Sequence, residues 1–308
     1  MEKKFVSAVI YLHNDEKRIE SFLKLIIVAL KENFEQYEVV LVDDACEDDT
    51  ISFVRNLTSQ VCREGTLSIL HMGFYQGIEP SMNAGRDVAI GDFVYEFDDV
   101  GLDFDENLLM EVYMKMTEGY DIVSASPQGL LKVTSRIFYS LFNHTNRGNV
   151  QIGPERFRLI SRRAINRIKS SGKYIPYRKA VYANSGLKMA AISYVSTSSI
   201  AKGRSSFRER GGLAFDSFIY FTNILERISL ILSGAFLATS LGVFLYSIID
   251  HFSERGVVEG WASTMVVMSV GFFGVFSLLT IVLKYLSVML NLVFKQQKYL
   301  VSDIEKVK

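Results

Sequence analysis

Apolar and polar residues repeat along the first hundred positions with two different periods. Phe5–Leu12 reads as a strand, whereas Glu16–Lys31 places its apolar residues at helical steps of three and four. The two patterns then take turns. Tyr37–Val42 reads as a strand, Asp49–Cys62 as a helix, Leu67–His71 as a strand, Ser81–Ala89 as a helix, and Phe93–Phe97 as a strand entered through the turn Gly91-Asp92. Strands separated by helices predict an α/β fold with a mostly parallel sheet flanked by helices. Ligands of such sheets bind at the carboxyl ends of the strands, so the residues just after each strand are the ones to inspect.

A third pattern begins near residue 228. Ile228–Ile249 and Trp261–Leu283 carry no charge, and each is long enough as a helix to cross the roughly 30 Å hydrocarbon core of a bilayer. Charges bound both runs, Arg227 and Asp250 for the first and Glu259 and Lys284 for the second, which fits insertion as a hairpin better than burial in a globular core. Lys202, Arg204, Arg208 and Arg210 precede the first run, and Lys284, Lys295 and Lys298 follow the second. The connecting loop sets Asp250, Glu254 and Glu259 against Arg255. By the positive-inside rule both termini are expected in the cytoplasm.

These patterns divide the chain into a cytosolic domain over 1–212, a juxtamembrane segment over 213–227, a transmembrane hairpin over 228–295 and a cytosolic tail over 296–308. Within 213–227, Leu213, Phe215, Phe218, Ile219 and Phe221 suit a helix lying in the inner leaflet. Gly234, Ala238 and Gly242 recur every fourth residue, a spacing that lets helices approach closely, either within the hairpin or in a homo-oligomer.

The 308 residues include 34 basic and 34 acidic side chains. This balance gives no basis for a nucleic-acid partner. No secretory leader is expected, since Met1–Lys4 leads straight into the first strand. Cys46 and Cys62 are the two cysteines, too few for a disulfide framework and consistent with a reducing compartment.

Three strand ends carry acidic chemistry. His13-Asn14-Asp15-Glu16 follows the first strand, Asp43-Asp44-Ala45-Cys46-Glu47-Asp48-Asp49-Thr50 the second, and Asp98-Asp99 the strand at Phe93–Phe97. Carboxylates so placed suit a divalent cation bound with substrate phosphates, and a ribose diol matched by acceptor-only side chains. Asp49 is explained by capping the helix that follows, but Asp43 and Asp44 at the strand end are not. His13 is assigned no role.

The runs Val9–Glu16, Val42–Thr50 and Asn83-Ala84-Gly85 ahead of Gly91-Asp92 resemble those of inverting nucleotide-sugar glycosyltransferases with the GT-A fold. Phe157-Arg158-Leu159-Ile160-Ser161-Arg162-Arg163 resembles the internal motif of their polyprenyl-phosphate subgroup, related to dolichol-phosphate mannose synthase, whose members also end in membrane spans. The resemblance covers nearly the whole chain. It implies a membrane-bound hexosyltransferase that moves a sugar from a nucleotide sugar to a polyprenyl phosphate such as undecaprenyl phosphate, for modification of cell-envelope glycans.

The resemblance also assigns residues. Asp15, Glu16, Asp43, Asp44 and Asn83 fall at nucleotide-sugar-binding positions, with Asp44 at the nucleoside. Asp98 matches the first residue of the metal-binding Asp-x-Asp and, with Arg158, is catalytic. Arg162, Arg204 and Arg208 match positions that bind acceptor phosphate. The third position of the Asp-x-Asp is Val100, and Leu102 stands where relatives often have Gln. A bound Mg²⁺ or Mn²⁺ therefore needs Asp99 or Asp103 in place of the lost ligand; Glu96, two residues before Asp98 on the same strand, points the same way.

Lipid phosphate is already anionic, so the chemistry asks for stabilisation of the departing nucleoside diphosphate more than for a base, and a cation or arginines can supply it. Two other readings compete. A processive polysaccharide synthase is disfavoured because its Gln-x-x-Arg-Trp motif is missing and Trp261, at a membrane interface, is the one tryptophan. A non-catalytic relative that binds nucleotide sugar without turnover, or a transferase using another envelope acceptor, is separated from the leading reading by assay of donor hydrolysis and transfer.

Overall fold

In β1 (Glu2–Leu12) Val6, Ala8, Ile10 and Leu12 point to one side of the sheet while Val9 and Tyr11 point to the other, and all six are buried. A strand covered on both faces must be apolar at every position, which is why this segment runs nearly free of polar residues. The computed structural model describes residues 1–61, 65–129, 152–170, 177–196, 260–293 and 299–307, with isolated helical positions between 136 and 143 and between 231 and 249. Arg204, Arg208 and the segment 213–227 lie outside the described residues.

After β1 come α1 (Ile19–Asn33), β2 (Phe34–Asp43), α2 (Thr50–Val61), β3 (Thr66–Met72), α3 (Ile78–Val88), β4 (Phe93–Phe97), α4 (Asn107–Thr117) and β5 (Ile122–Gln128). Then follow β6 (Phe157–Ser161), α5 (Arg162–Ser170), α6 (Arg178–Ala183), β7 (Met189–Val195), α7 (Trp261–Val293) and β8 (Val301–Lys306). The strands form one eight-stranded sheet in the order β7-β5-β6-β4-β1-β2-β3-β8. Pairings β4–β1, β1–β2, β2–β3 and β5–β7 are parallel, and β6 and β8 run antiparallel to their neighbours.

One core lies between the sheet and α1, α2 and α4, where Phe22, Ile26, Leu30, Val54, Leu108 and Val112 are buried. The other lies under α3, α5 and α6, with Met82, Ala84, Ile165, Ile168 and Tyr182. The glycine of Asn83-Ala84-Gly85 has a packing reason. A Cβ on Gly85 would lie 2.5 Å from both Val9 and Val42, so its absence lets α3 settle onto β1 and β2.

The strands and helices expected through Phe97 are all present, with boundaries moved by up to three residues. α1 starts at Ile19 rather than Glu16 because the Asp15 carbonyl accepts the amides of Arg18 and Ile19 in a turn before the helix. The C-terminal end departs further from expectation. Residues 301–306 are not a free tail: β8 pairs with β3 and extends the sheet, with Ile69 opposite Glu305 and His71 opposite Asp303. Its alternation is weak because its side chains are almost all exposed, which hid it from pattern reading. By contact the chain falls into two units, Met1–Ser217 with Phe294–Lys308, and Phe218–Val293.

In the second unit α7 runs ten residues past the expected end at Leu283. Lys284 interrupts the apolar run without breaking the helix, since its long stem can carry the charge away from an apolar surface. Thr264–Leu286 is the one helical stretch among the described residues long and apolar enough to cross a membrane: 23 residues of mean hydropathy 2.5, with none of the apolar window buried. Phe236 stacks on Phe276 with centroids 4.5 Å apart, and Tyr246 meets Trp261 edge-on at 6.2 Å. Gly234 and Gly242 have open space within 4 Å among the described residues.

Asp44 binds the ends of three parallel strands together. It is fully buried. Its Oδ2 accepts from the Tyr11 hydroxyl at 2.9 Å and the Gly77 amide at 2.8 Å, and its Oδ1 accepts from the Gln76 amide at 2.8 Å. Its own amide donates to the Leu12 carbonyl at 3.0 Å. Asp44→Ala would leave a hydroxyl and two amides without their acceptor, at about 1–3 kcal/mol for each polar group left buried and unpaired. The variant should lose about 3 kcal/mol of stability, measured by thermal unfolding of the purified protein in detergent. Melting at the wild-type temperature would contradict this role.

Candidate active site

The carboxyl ends of β1, β2, β3 and β4 share one edge of the sheet because these strands are parallel, and the start of antiparallel β6 reaches the same edge. Register then fixes the centre. Glu96 on β4 lies opposite Arg158 on β6, and Ser124 on β5 flanks Arg158 from the other side. Glu96 and Asp98, two residues apart, point the same way, as alternation requires.

Two buried arginines bind these two carboxylates. Arg158 reaches Glu96 at 3.0 Å, Asp98 at 2.8 Å and Glu155 at 2.9 Å. Arg178, at the start of α6, reaches Glu79 at 2.8 Å, Glu96 at 2.9 Å and the other oxygen of Asp98 at 2.7 Å. The Tyr182 hydroxyl donates to Glu96 at 3.0 Å and accepts from Arg86 at 2.9 Å. The Arg158 side chain is 2% exposed and that of Arg178 fully buried, whereas 23% of the Asp98 side chain reaches the surface. The arginines thus act through Asp98 and Glu96 from beneath the site.

Burial alone would raise the pKa of Asp98, but Arg158 and Arg178 outweigh it and pull the group well below the usual carboxylate range. Burial likewise opposes the charge on Arg178, and Asp98, Glu79 and Glu96 reverse it. Asp98 is therefore ionised at any working pH. Its contribution to stability is present above its unfolded pKa of about 3.9 and is lost only as pH falls through the depressed folded value.

A second chain of alternating charges lies nearer the surface. Arg18 pairs with Asp15 and lies 3.0 Å from Asp99; Arg156 lies 3.1 Å from the other Asp99 oxygen and 2.7 Å from Asp103. The Tyr194 hydroxyl donates to Asp103 at 3.1 Å. Gly101 gives the Arg156 guanidinium its room, since a Cβ there would fall 2.1 Å from Nη2. That Nη2 is buried and has no hydrogen-bond partner among the described residues.

These contacts decide where each expected residue stands. Asp98, Asp99, Asp103, Arg158, Asp15 and Asp43 converge on the strand-end edge. Glu16 is half-buried beside them, its amide 3.3 Å from Asp48. Asn83 is buried on α3. Asp44 was expected at the nucleoside, yet its carboxylate is buried and filled by protein donors, which makes it an organiser of the loops. Arg162 was expected at acceptor phosphate. It stands instead at the opposite end of β4, donating to the carbonyls of Ala89 and Gly91 at 2.7–2.9 Å, because Ser161 pairs with Phe93 where Phe157 pairs with Phe97. His13, assigned no role from the sequence, has its Nδ1 2.8 Å from the Asp44 carbonyl.

The same contacts bear on a divalent cation. Asp98 and Asp99 each have both oxygens on guanidinium groups, Asp103 pairs with Arg156, and Glu96 with two arginines. Val100, where the Asp-x-Asp would place its second ligand, is a core residue 1% exposed. No group of three or more His, Cys, Asp or Glu side chains among the described residues is arranged around a common ion. The donor set does not fit the Mg²⁺ or Mn²⁺ site expected from the sequence.

Sequence reading missed Arg178, Glu79, Arg156 and Arg18. Arg156 stood two residues before Arg158, close enough for strand-end logic to find. Arg178 belongs to a six-residue helix with no pattern of its own, and nothing local marked it.

Residues 7–182, more than half of the chain, match the profile described as Glycosyl transferase family 2. The bactoprenol glucosyl transferase of Shigella phage SfX is 28% identical over 272 residues, covering 85% of this chain and 87% of the relative. The uncharacterized glycosyltransferase sll0501 of Synechocystis is 24% identical over 308 residues, covering 97% and 95%. Among solved structures, glucosyl-3-phosphoglycerate synthase of Mycobacterium tuberculosis, in complex with Mn²⁺, uridine diphosphate and phosphoglyceric acid, superposes with a TM-score of 0.52 at 16% identity, over 70% of this chain and 76% of that one. This likeness is one of fold, the mixed sheet of GT-A enzymes. The sheet, its acidic strand ends and the matched profile lead to one assignment: the chain belongs to glycosyl transferase family 2.

Proposed function

We propose that this protein transfers a sugar, with inversion, from a nucleotide sugar to a polyprenyl phosphate at the cytoplasmic face of a membrane. One observation carries the choice of acceptor: a family 2 domain is continuous with a 23-residue apolar helix whose apolar window has no buried part. An apolar surface of that extent needs lipid or another apolar partner. The similarity to bactoprenol glucosyl transferases over 85% of the chain supports the same reading.

In the proposed step an anionic oxygen of the lipid phosphate attacks the anomeric carbon. The bond from that carbon to the diphosphate breaks, and its electron pair leaves with the nucleoside diphosphate. No proton has to be removed from the nucleophile. The charge to be stabilised is on the leaving group, and Arg18 and Arg156 face it from either side of Asp99. Arg156 brings an unpaired Nη2, and a guanidinium gives phosphate short, charge-assisted hydrogen bonds. Asp98, kept ionised by Arg158 and Arg178, offers acceptor oxygens to donor hydroxyls. Asp15, Asp43 and Asp44 set the loops around the nucleotide, and Glu16 and Asn83 line its approach. Arg204 and Arg208 are assigned to the acceptor phosphate. No step is assigned to a metal ion.

The C-terminal strand supports the hairpin. β8 follows α7 in sequence yet belongs to the same sheet as β1–β7, so the chain must cross the bilayer an even number of times between them. α7 supplies one crossing. We assign the other to Ile228–Ile249, a reading supported by the antiparallel order of the ring contacts Phe236–Phe276 and Tyr246–Trp261.

Purified protein incubated with undecaprenyl phosphate and a panel of radiolabelled nucleotide sugars should label the lipid from one donor, at a rate within about threefold of its EDTA value when Mg²⁺ or Mn²⁺ is added. Failure with every donor would refute the activity; a requirement for the cation would return the leaving-group role to metal. Arg156→Met should lower kcat/KM about 10²–10³-fold, the loss typical of removing one preorganised donor to a developing charge. In cells, the protein should remain with membranes through an alkaline carbonate wash, and tags at both ends should be protected from external protease in intact cells. Release by carbonate would rule out the hairpin.

A further inference from the structure

The C-terminal segment does more than cover the edge of the sheet. β8 buries little apolar surface, with Val301 36% and Ile304 45% exposed, so its polar contacts dominate its docking. These contacts are directed at two residues on the strand-end edge. Glu305 lies 2.7 Å from Arg55 of α2 and, on the same oxygen, 3.2 Å from Nε2 of His71. The other ring nitrogen of His71 lies 2.7 Å from Asp43, whose second oxygen accepts the Cys46 amide at 2.9 Å. Glu305 is thus joined through one imidazole to the loop after β2.

The second line of contacts starts at Leu300. Its carbonyl accepts from the Gly73 amide at 3.0 Å and the Gln76 side-chain amide at 2.7 Å, and its amide donates to the Gln76 side chain at 3.0 Å. The backbone amides of Gln76 and Gly77 are the donors to Asp44. An edge strand that served only to block pairing with other chains would need the ladder with β3 alone. Here both extra lines end on the two carboxylates that order the loops after β2 and β3.

We propose that β8 is a positioning element for the nucleotide: Glu305 through His71 sets Asp43, and Leu300 through Gln76 sets the amides that hold Asp44. This rests on the donor-binding reading given above. The polypeptide that returns from the membrane hairpin then completes the nucleotide site, and Glu305 and His71 affect donor affinity without touching the reacting atoms.

The test uses the full-length protein in detergent, with uridine diphosphate and guanosine diphosphate as probes in calorimetry and the best donor in steady-state transfer. Glu305→Gln and His71→Asn should each weaken binding of the preferred diphosphate at least fivefold and raise donor KM by a similar factor, with kcat changed less than twofold. Tyr299→Phe supplies the contrast. It removes the 2.8 Å bond from the Tyr299 hydroxyl to Asp87, loosening the same segment away from Asp43 and Asp44, and should leave diphosphate affinity within twofold of wild type. Equal losses in all three variants would reduce β8 to a structural cap and overturn the proposal, as would wild-type affinity in Glu305→Gln. A fall in kcat at constant KM would do the same. If the wild-type protein binds neither diphosphate, the donor reading fails and this inference with it; wild-type binding with unaffected Glu305→Gln rejects the inference alone.

Discussion

Two guanidinium groups buried against two carboxylates organise the strand-end edge. Arg158 and Arg178 are almost without solvent, and neither could remain charged there without Glu96, Asp98, Glu79 and Glu155 around it. Burying ions costs several kcal/mol each, and loss of one partner from such a cluster typically costs 3–5 kcal/mol because the other is left uncompensated. The cluster therefore constrains the fold as well as the chemistry: β4, β6, α3 and α6 must all be in place before it closes. In return Asp98 is presented at the surface with its charge and orientation fixed, a preorganised electrostatic arrangement.

Much of the fold could be read directly from the residues. The apolar runs of β1 and β2, the helical spacing of α1 and the turn at Gly91-Asp92 are local signals, and each element formed where its pattern stood. β8 could not be read in that way. Its six residues have no buried face, and its place is set by hydrogen bonds to a strand more than two hundred residues away. Transmembrane length was legible at α7 because bilayer thickness is a constraint on composition alone, while its extension to Val293 depended on a lysine that a helix tolerates more easily than a pattern suggests.

The site was legible as a location and less so as a set of contacts. Strand-end logic found Asp98, Asp99, Asp43 and Asp44, since parallel strands bring such residues to one edge. It could not tell a carboxylate that faces ligand from one that holds the protein together. Asp44 belongs to the second kind, and Arg162 likewise holds backbone carbonyls rather than facing ligand; the difference lies in partners that come from other segments of the chain. The exchange of an expected cation site for guanidinium pairs is of the same type. Val100 announced the missing ligand in the sequence, but the four arginines that take up the remaining carboxylates come from three separate segments and meet only in three dimensions.

The position of β8 also has a consequence for biosynthesis. A chain made from its N-terminus completes β3 long before Val301 exists, and the apolar helix α7 must emerge in between. At ordinary synthesis rates of about 5–20 residues per second, the outer edge of β3 stays open for on the order of tens of seconds. An open strand edge is a template for pairing with other chains. Residues 301–306, made more than two hundred positions after β3, therefore decide whether that edge is left open or sealed.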